Sequence, residues 1–358
     1  MPEPLAELTF HLPERVVRAT ERAAASLQRA DDRIAHRFET LARLLLRAEG
    51  VASSQIEGVR APAELVAVAE LDADAIDTSS AWVADNLAVV DDSLSHARTR
   101  GTLGVRKLNT WHRRLMVHGT LPGELVGTFR RAQNWVGGAT PRDAAYVPPP
   151  AEYVGDLMRD LLRFVSTSKL DPITVAAVTH AQFETIHPYG DGNGRLGRVL
   201  IGWTLSRRSG LAVPPPASVV MARDIGGYLA GLTRFRLGDV AGWVQWMAEA
   251  VSRSAEQVLD VVAYAEEVRR RWDGALAGVR ADAAARRLAE LVQQHLVITA
   301  PMAAEMLSVS APAARGALEA LANRGILEPL SLTPTRPGRP AQWWMAGELV
   351  SLVSRWSR

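Results

Sequence analysis

The sequence predicts a mainly α-helical protein, and three observations carry that prediction. Apolar residues recur at helical spacing over most of the chain, and residues 14–48 are a clear example. Residues 133–149 break this pattern, because two short apolar runs there flank a turn region rich in glycine and proline, as in a β-hairpin. Beyond residue 280, the order of helix, helix-turn-helix, strand, basic loop and strand is typical of a winged helix.

These patterns divide the chain into three predicted domains. Residues 1–100 are expected to form an N-terminal helical domain, with helices over 14–48, over about 50–58 and twice within 62–100. Residues 101–270 are expected to form the central domain. The helices predicted there cover 105–118, 150–165, 171–186, 194–208, 225–236 and 239–270.

Residues 280–358 are predicted to form the winged-helix domain, after a connector at 269–280. Its helices are expected over 283–295, 300–308 and 311–324. The domain holds nine arginines against six acidic residues, which is a mild positive excess. The predicted recognition helix has only Arg315 and Arg324 as basic groups, which favours protein interaction or a homodimer over DNA binding. The basic wing, Arg336–Arg339, is the best argument for DNA as the alternative partner.

Composition and charge exclude several classes of function. The chain has 358 residues and a formal net charge of +2, which is too balanced for a protein that coats a polyanion. It has no cysteine, so disulfides and thiolate metal sites are excluded. No uncharged apolar stretch reaches about 18 residues, and the N-terminus lacks the pattern of a signal peptide. We therefore expect a cytoplasmic protein with no membrane partner.

The stretch from residue 187 to 198, His-Pro-Tyr-Gly-Asp-Gly-Asn-Gly-Arg-Leu-Gly-Arg, carries the clearest chemical signal in the chain. Pro188 ends the preceding helix, and a new helical pattern starts at Arg195, so the stretch joins two helices. Its alternating glycines allow successive backbone N–H groups to converge on one anion, and the helix N-terminus that follows favours phosphate. The stretch therefore predicts a phosphate-binding loop.

Four side chains of this loop are suited to binding a nucleotide polyphosphate and to reacting with it. Arg195 and Arg198 lie three residues apart on one helix face, and two guanidinium groups beside an anion loop suit a polyphosphate. Asp191 would repel phosphate unless a cation lies between them, which is the arrangement for Mg²⁺. His187 can act as a base near neutral pH.

This stretch resembles the motif of the Fic family, His-x-Phe-x-(Asp/Glu)-Gly-Asn-Gly-Arg-x-x-Arg, with Tyr189 in place of the usual phenylalanine. Tyrosine should serve there if its hydroxyl finds a partner. The resemblance implies a Fic-type helical core, with the motif between two helices and a β-hairpin flap nearby. It also implies transfer of AMP from ATP to a Ser, Thr or Tyr hydroxyl of a target protein, or of the protein itself, with release of pyrophosphate.

The resemblance also implies a role for each residue of the loop. His187 would deprotonate the target hydroxyl, and Asp191 would hold Mg²⁺ on the phosphates of ATP. The two arginines would hold the β- and γ-phosphates. The residues that would bind the nucleotide are Gly192, Asn193, Gly194, Arg195, Leu196, Gly197 and Arg198.

A second motif lies upstream, where residues 53–58 read Ser-Ser-Gln-Ile-Glu-Gly and resemble the inhibitory helix of Fic proteins, (Ser/Thr)-x-x-x-Glu-(Gly/Asn). Ser53 and Glu57 are four residues apart and share one helix face. The resemblance implies that Glu57 pairs with Arg198 and so removes a ligand of the γ-phosphate. We therefore expect an enzyme that is autoinhibited by an N-terminal helix.

Two further site elements follow from the resemblance. The 133–149 hairpin lies where the family has its flap, whose edge takes the target segment by strand addition. Val136, Gly137 and Gly138 have little side-chain bulk to obstruct that pairing. Tyr228 is the candidate for the adenosine pocket, where it would either stack on adenine or pack in the core.

Two other functions stay open at the level of the sequence. The same core could transfer UMP or phosphocholine, or remove AMP by hydrolysis. The chain could also be a winged-helix DNA-binding regulator whose core senses a nucleotide, because a fold does not decide function. The intact pair of His187 and Asp191 favours an enzyme over a purely sensory core.

Overall fold

The computed structural model describes residues 1–35, 38–99, 101–332 and 341–356. Over these ranges the protein is mainly α-helical, as the sequence predicts, with fifteen helices and one small antiparallel sheet. None of the helices in the described ranges is long and apolar enough to cross a membrane.

The N-terminal part is built from α1 (Glu14–Ala35), α2 (Phe38–Ile56), α3 (Ala63–Ala69) and α4 (Thr78–Ala97). Helices α1 and α2 cover the predicted range 14–48 except for residues 36 and 37, which lie outside the described residues. The prediction of a separate helix from residue 50 is wrong, since α2 continues unbroken past Gly50. This glycine packs against Leu87 of α4, and a Cβ at Gly50 would lie 2.6 Å from Leu87 Cγ. It therefore allows close helix packing instead of ending a helix.

The central part holds seven helices. They are α5 (Val105–Leu115), α6 (Val154–Thr167), α7 (Pro172–Ile186), α8 (Asn193–Ser209), α9 (Ala217–Arg223), α10 (Ile225–Arg236) and α11 (Val240–Ala275). The sequence does not predict α9, because residues 217–221 are all buried and leave no amphipathic pattern. Helix α11 runs past its predicted end into the expected connector, since Val268 and Trp272 are buried along its last turns.

The C-terminal part combines four helices with the sheet. Its elements are α12 (Ala284–His295), β1 (Val297–Thr299), α13 (Ala300–Leu307), α14 (Ala311–Ala322), β2 (Glu328–Leu330), β3 (Trp343–Met345) and α15 (Gly347–Trp356). Strand β3 lies between β1 and β2 and is antiparallel to both. The sequence does not predict β1 or α15. The predicted wing, Arg336–Arg339, lies outside the described residues.

Helices α7 and α8 form the centre of the molecule. Every residue of α7 from Ile173 to Ile186 is buried. Helix α8 packs against α7 and also contacts α2 and α4, while α11 covers α7 from another side. Because both helices are held along their length by buried apolar surface, the short connection between them, residues 187–192, is fixed in position.

A buried arginine joins α2 to the C-terminal part. Arg47 Nε donates to Glu70 Oε2 at 2.6 Å, and Arg47 Nη1 donates to the carbonyl of Gln294 at 2.8 Å, near the end of α12. The last carbonyls of a helix lack partners within the helix and carry partial negative charge, so a guanidinium group there is favourable. Helix α2 therefore contacts both the central helices and the C-terminal part.

Candidate active site

The connection between α7 and α8 turns sharply at both of its ends. His187 caps α7 with a left-handed backbone conformation, φ 50°, and Gly192 precedes α8 with φ 73°. The first conformation is uncommon for a residue with a side chain. Buried Arg130 supports it, because Arg130 Nε donates to the His187 carbonyl at 2.9 Å and its N–H donates to the carbonyl of Pro188 at 2.9 Å.

The side chain of Asn193 holds the loop together. Its Oδ1 accepts from the Tyr189 N–H at 2.9 Å, and its Nδ2 donates to the Tyr189 carbonyl at 2.9 Å. Both polar ends of the amide are therefore used within the loop. Asn193 can contribute its backbone N–H to an anion, while its side chain sets the shape of the loop.

Tyr189 anchors the loop in the core. Its ring is fully buried and stacks on His112, with ring centroids 4.0 Å apart. Its hydroxyl donates to Asn109 Oδ1 at 2.8 Å, so the expectation that this hydroxyl finds a partner is confirmed. His112 accepts from the Gly127 N–H through Nδ1, which leaves Nε2 to donate to the carbonyl of Asp191 at 3.0 Å. Nothing in the sequence pattern indicates this role for His112.

His187 has the properties of a general base at neutral pH. Its side chain is mostly buried, and burial lowers the pKa of the imidazole to about 4, although the Glu184 backbone and the Glu57 carboxylate oppose this shift. The ring is therefore neutral near pH 7 and can accept a proton. Its Nδ1 is buried and faces Glu184, the residue three positions earlier, with 3.8 Å between Nδ1 and Glu184 Oε2.

Asp191 is exposed beside the loop. One of its carboxylate oxygens accepts from the Gly192 N–H at 2.6 Å. The described residues contain no group of three His, Asp or Glu side chains that could hold a metal ion. Mg²⁺ commonly needs only one or two carboxylates when substrate phosphates and water supply its other ligands. The single Asp191 carboxylate therefore fits a cation that arrives with a nucleotide.

Arg195 is a buried cation with unused donors. Its guanidinium lies 4.2 Å from the centroid of the Trp82 ring, and Nη2 lies 3.7 Å from Met116 Sδ. Nε and Nη1 are buried and find no hydrogen-bond partner among the described residues. Burial lowers the pKa of Arg195, and Asp191 is the largest influence that raises it. A buried guanidinium with unpaired donors next to the loop suits an anion such as phosphate.

Arg198 is bound on every side by the upstream motif and the core. Its Nε donates to Ser53 Oγ at 3.0 Å, and its Nη2 donates to the Ser53 carbonyl at 2.8 Å and to Glu57 Oε1 at 2.7 Å. Its Nη1 lies 3.4 Å from the Tyr228 hydroxyl. The pairing of Glu57 with Arg198 that the family resemblance implies is thus present in the structure.

Glu57 lies in the turn after α2 and reaches the first turn of α8. Its Oε1 lies so close to Gly194 that a Cβ at that position would collide with it. Burial alone would raise the pKa of Glu57, but the charge and hydrogen bond of Arg198 outweigh this, so the pKa is lowered and the group is ionised at neutral pH. Because 35% of its side chain stays exposed, Glu57 remains open to displacement by a ligand.

Three predicted nucleotide contacts face the core instead of the loop. Leu196 is fully buried among apolar residues, and Gly197 packs against Glu184 of α7. Tyr228 is buried beside Trp243 and Trp246, with its hydroxyl 2.9 Å from His180 Nε2. Of the two roles expected for Tyr228, packing in the core is the one that its surroundings show.

The predicted flap is present only in reduced form. Instead of two paired strands, one antiparallel bridge joins Val136 to Tyr146, with N–H···O distances of 2.8 and 3.2 Å. Gly137 and Gly138 follow with positive φ and are exposed, so the chain turns away after a single pair. The Tyr146 hydroxyl donates to the Thr185 carbonyl at 2.8 Å, which ties the bridge to the end of α7 beside His187.

The site is thus a mostly buried histidine and a glycine-rich loop at the connection of two central helices, with two buried arginines on the helix that follows. Residues 102–205 match the model of the Fic/DOC family, so the chain contains a Fic domain. Protein adenylyltransferase fic-1 of Caenorhabditis briggsae is 34% identical over 148 residues, which cover 41% of this chain and 27% of the relative. Protein adenylyltransferase Fic of Drosophila melanogaster is 31% identical over 152 residues, which cover 41% and 28%.

Two solved structures share the fold. A Fic family protein from Desulfovibrio desulfuricans superposes with a TM-score of 0.60 at 20% identity, over 96% of this chain and 98% of that one. A fragment of Fic-1 from Caenorhabditis elegans gives 0.54 at 19% identity, over 70% and 74%. These likenesses concern the fold alone. The alignments with the curated adenylyltransferases span only about a quarter of the length of those relatives.

Proposed function

We propose that this protein is a protein adenylyltransferase, which moves AMP from ATP to a Ser, Thr or Tyr hydroxyl of a target protein or of itself. The observation that carries the proposal is that residues 187–198 hold both a neutral histidine, His187, and a buried arginine with unused donors, Arg195. The first group can take a proton, and the second can bind phosphate. The names of the curated relatives support the same activity.

The residues of the loop would divide the reaction among them. The target hydroxyl would lose its proton to His187 and attack the α-phosphorus of ATP, while the bond to pyrophosphate breaks. The N–H groups around Gly192 and Gly194, with Arg195, would hold the phosphates. Mg²⁺ on Asp191 would neutralise their charge. The proton would pass from His187 to solvent after transfer.

The same geometry supports autoinhibition by Glu57. Its carboxylate occupies one guanidinium edge of Arg198 and covers the first turn of α8 at Gly194. A γ-phosphate needs those same donors, and it would meet a negative charge there. ATP would therefore bind in a pose that is unsuited to transfer until Glu57 moves away.

Nucleotide profiling of the Glu57→Gly variant tests the proposed reaction. We expect label to enter protein from ATP labelled at the α-phosphate and not from ATP labelled at the γ-phosphate, because pyrophosphate leaves. We also expect ATP to be preferred over UTP, GTP and CDP-choline by roughly tenfold or more, which corresponds to about 1.4 kcal/mol of discrimination. Preferred labelling from UTP or CDP-choline, or net removal of AMP from a modified protein, would replace this proposal with the other chemistry.

We propose that residues 280–358 are a winged-helix module for protein contact, including a homodimer, in a cytoplasmic protein. Helix α14 exposes Arg315 and Glu319 one turn apart, so its surface carries both signs of charge. Such a surface is poorly suited to the phosphate backbone of DNA. We expect no gel shift with genomic DNA at about 0.15 M salt; a shift that weakens as salt rises would indicate DNA instead.

A further inference from the structure

The buried carboxylate of Glu184 on α7 faces His187 but has no role in the reaction proposed above. Only 8% of its side chain is exposed, and its Oε1 finds no hydrogen-bond partner among the described residues. An unpaired polar atom in the interior costs free energy, so its presence calls for an explanation. Its position is explained by the other carboxylate oxygen, Oε2, which faces the His187 ring.

That other oxygen faces the base. Glu184 Oε2 lies 3.8 Å from His187 Nδ1, which is buried and makes no hydrogen bond of normal geometry among the described residues, although the nearby Glu184 backbone also favours a proton on the ring. Glu184 is three residues before His187, and the left-handed conformation of His187 ends α7 at that point. The separation is longer than a hydrogen bond, but such contacts are often long before substrate binds and shorten in the reacting complex.

The packing of α8 leaves space for this carboxylate. A Cβ at Gly197 would collide with Glu184 Oε1 and would lie 3.1 Å from His180 Nδ1. The absence of a side chain at Gly197 therefore admits Glu184 and His180, which lie four residues apart on one face of α7. His180 Nε2 in turn contacts the Tyr228 hydroxyl, which lies next to Arg198.

The charges around Glu184 link it to the autoinhibitory contact. Burial and, to a smaller extent, the Glu57 carboxylate raise the pKa of Glu184 to about 7, against the opposing charges of Arg198 and Arg236. His180, whose pKa burial lowers to about 3, is neutral near pH 7. Removal of Glu57 takes away one of the influences that raise the pKa, so the ionised form of Glu184 becomes more favourable when the site opens.

We propose that Glu184 is the positioning residue of His187: its carboxylate holds the Nδ1–H tautomer of the ring and stabilises the imidazolium that forms during transfer. The inference rests on the proposed function for its role in turnover. The O–H bond of the target hydroxyl breaks, an N–H bond forms at His187 Nε2, and the hydroxyl oxygen bonds to the α-phosphorus as pyrophosphate leaves. Glu184 does not accept the proton that His187 takes. Its negative charge stabilises the imidazolium beside it, as a buried carboxylate does for other catalytic histidines.

The test compares three variants in the Glu57→Gly background: Glu184→Gln, Glu184→Asp and the control Glu49→Gln. Glu49 is another carboxylate near Arg198, and it accepts from Ser218 N at 3.0 Å without facing His187. For each variant, ¹⁵N NMR of labelled histidine reports the tautomer and pKa of His187, assigned by its loss in His187→Ala. Steady-state kinetics give kcat and the acidic limb of the pH profile, and titration gives the Kd of ATP.

We expect Glu184→Gln to lower kcat about tenfold or more, a modest part of what general acid–base catalysis contributes, with the Kd of ATP changed less than about twofold. We also expect it to lower the His187 pKa and reduce the Nδ1–H tautomer. Glu184→Asp should recover part of the kcat and part of the Nδ1–H tautomer. Glu49→Gln should match the parent in both. An unchanged kcat and tautomer in Glu184→Gln would overturn the inference.

Two further outcomes keep the inference separate from the proposed function and from folding. If the Glu57→Gly parent transfers no AMP, the proposed function fails, while the tautomer of His187 in Glu184→Gln still tests the positioning role. If Glu184→Gln does not fold, Glu184→Asp carries the test, since its shorter side chain moves the carboxylate away from Nδ1. Parent-like kcat and tautomer in that variant would refute the positioning role.

Discussion

Glu57→Gly is expected to raise AMP transfer, both to the protein itself and to targets, by about 5- to 150-fold, the range of typical coupling free energies between a site and its regulator. The substitution removes the carboxylate that lies 2.7 Å from Arg198 Nη2 and touches the first turn of α8 at Gly194. Among the described residues, Arg198 then keeps Ser53 and Tyr228 as hydrogen-bond partners and can turn a free edge toward the γ-phosphate. Incorporation of label from α-labelled ATP measures the rate.

Gln55→Gly is the matched control for this prediction. Gln55 lies in the last turn of α2, two residues before Glu57, and a glycine there also loosens the helix end without removing a charge. We expect Gln55→Gly to stay close to the parent rate. A rise of similar size in both variants would attribute the effect to loosening of the helix end, and no rise in Glu57→Gly would refute autoinhibition by this residue.

His187→Ala in the Glu57→Gly background is expected to lower transfer by about 10²- to 10⁴-fold, the usual contribution of a positioned base. The loss should appear in kcat, whereas the Kd of ATP should change little, because the phosphates are held by the loop backbone and the arginines. His11→Ala is the control, since His11 is exposed near the N-terminus. Transfer that persists in His187→Ala would show that another group takes the proton.

The direction of the pH dependence of AMP transfer follows from the protonation state of His187. A histidine base works in its neutral form, and burial lowers the pKa of His187 from 6.5 to about 4. In kcat/KM, which reports the free enzyme, the acidic limb set by His187 should therefore lie well below pH 6.5, while protonation of Glu184, whose pKa is raised to about 7, should give only the partial loss expected for Glu184→Gln. Removal of Glu57 takes away a charge that raises this pKa, so the limb should not move to higher pH in Glu57→Gly.

The phosphate loop could be predicted from the sequence because its shape depends on neighbouring residues. Pro188 ends one helix, Gly192 takes a positive φ, and the N–H groups of the next helix begin at Asn193. These are local backbone properties, and a twelve-residue window contains them. The pairing of Glu57 with Arg198 could be anticipated only because a family resemblance linked two motifs that lie far apart in the chain.

Other parts of the site depended on packing between distant segments. Tyr228 lies in the core because Trp243 and Trp246 of α11 surround it, and Trp82 lies against Arg195 because α4 passes beside α8. The flap keeps a single pair of residues where the sequence suggested a hairpin, since two strands with few partners gain little from pairing alone.

Sequence alone therefore determined which groups residues 187–198 offer: the proposed base, the carboxylate proposed to bind metal, the glycine-rich loop and its two arginines. Tertiary structure decided the state of each of those groups. It left Arg195 with unused donors, surrounded Arg198 with Ser53, Glu57 and Tyr228, and set Glu184 behind the base. The physical reason is that backbone conformation is mostly a local property, whereas burial and charge pairing depend on which segments the fold brings together.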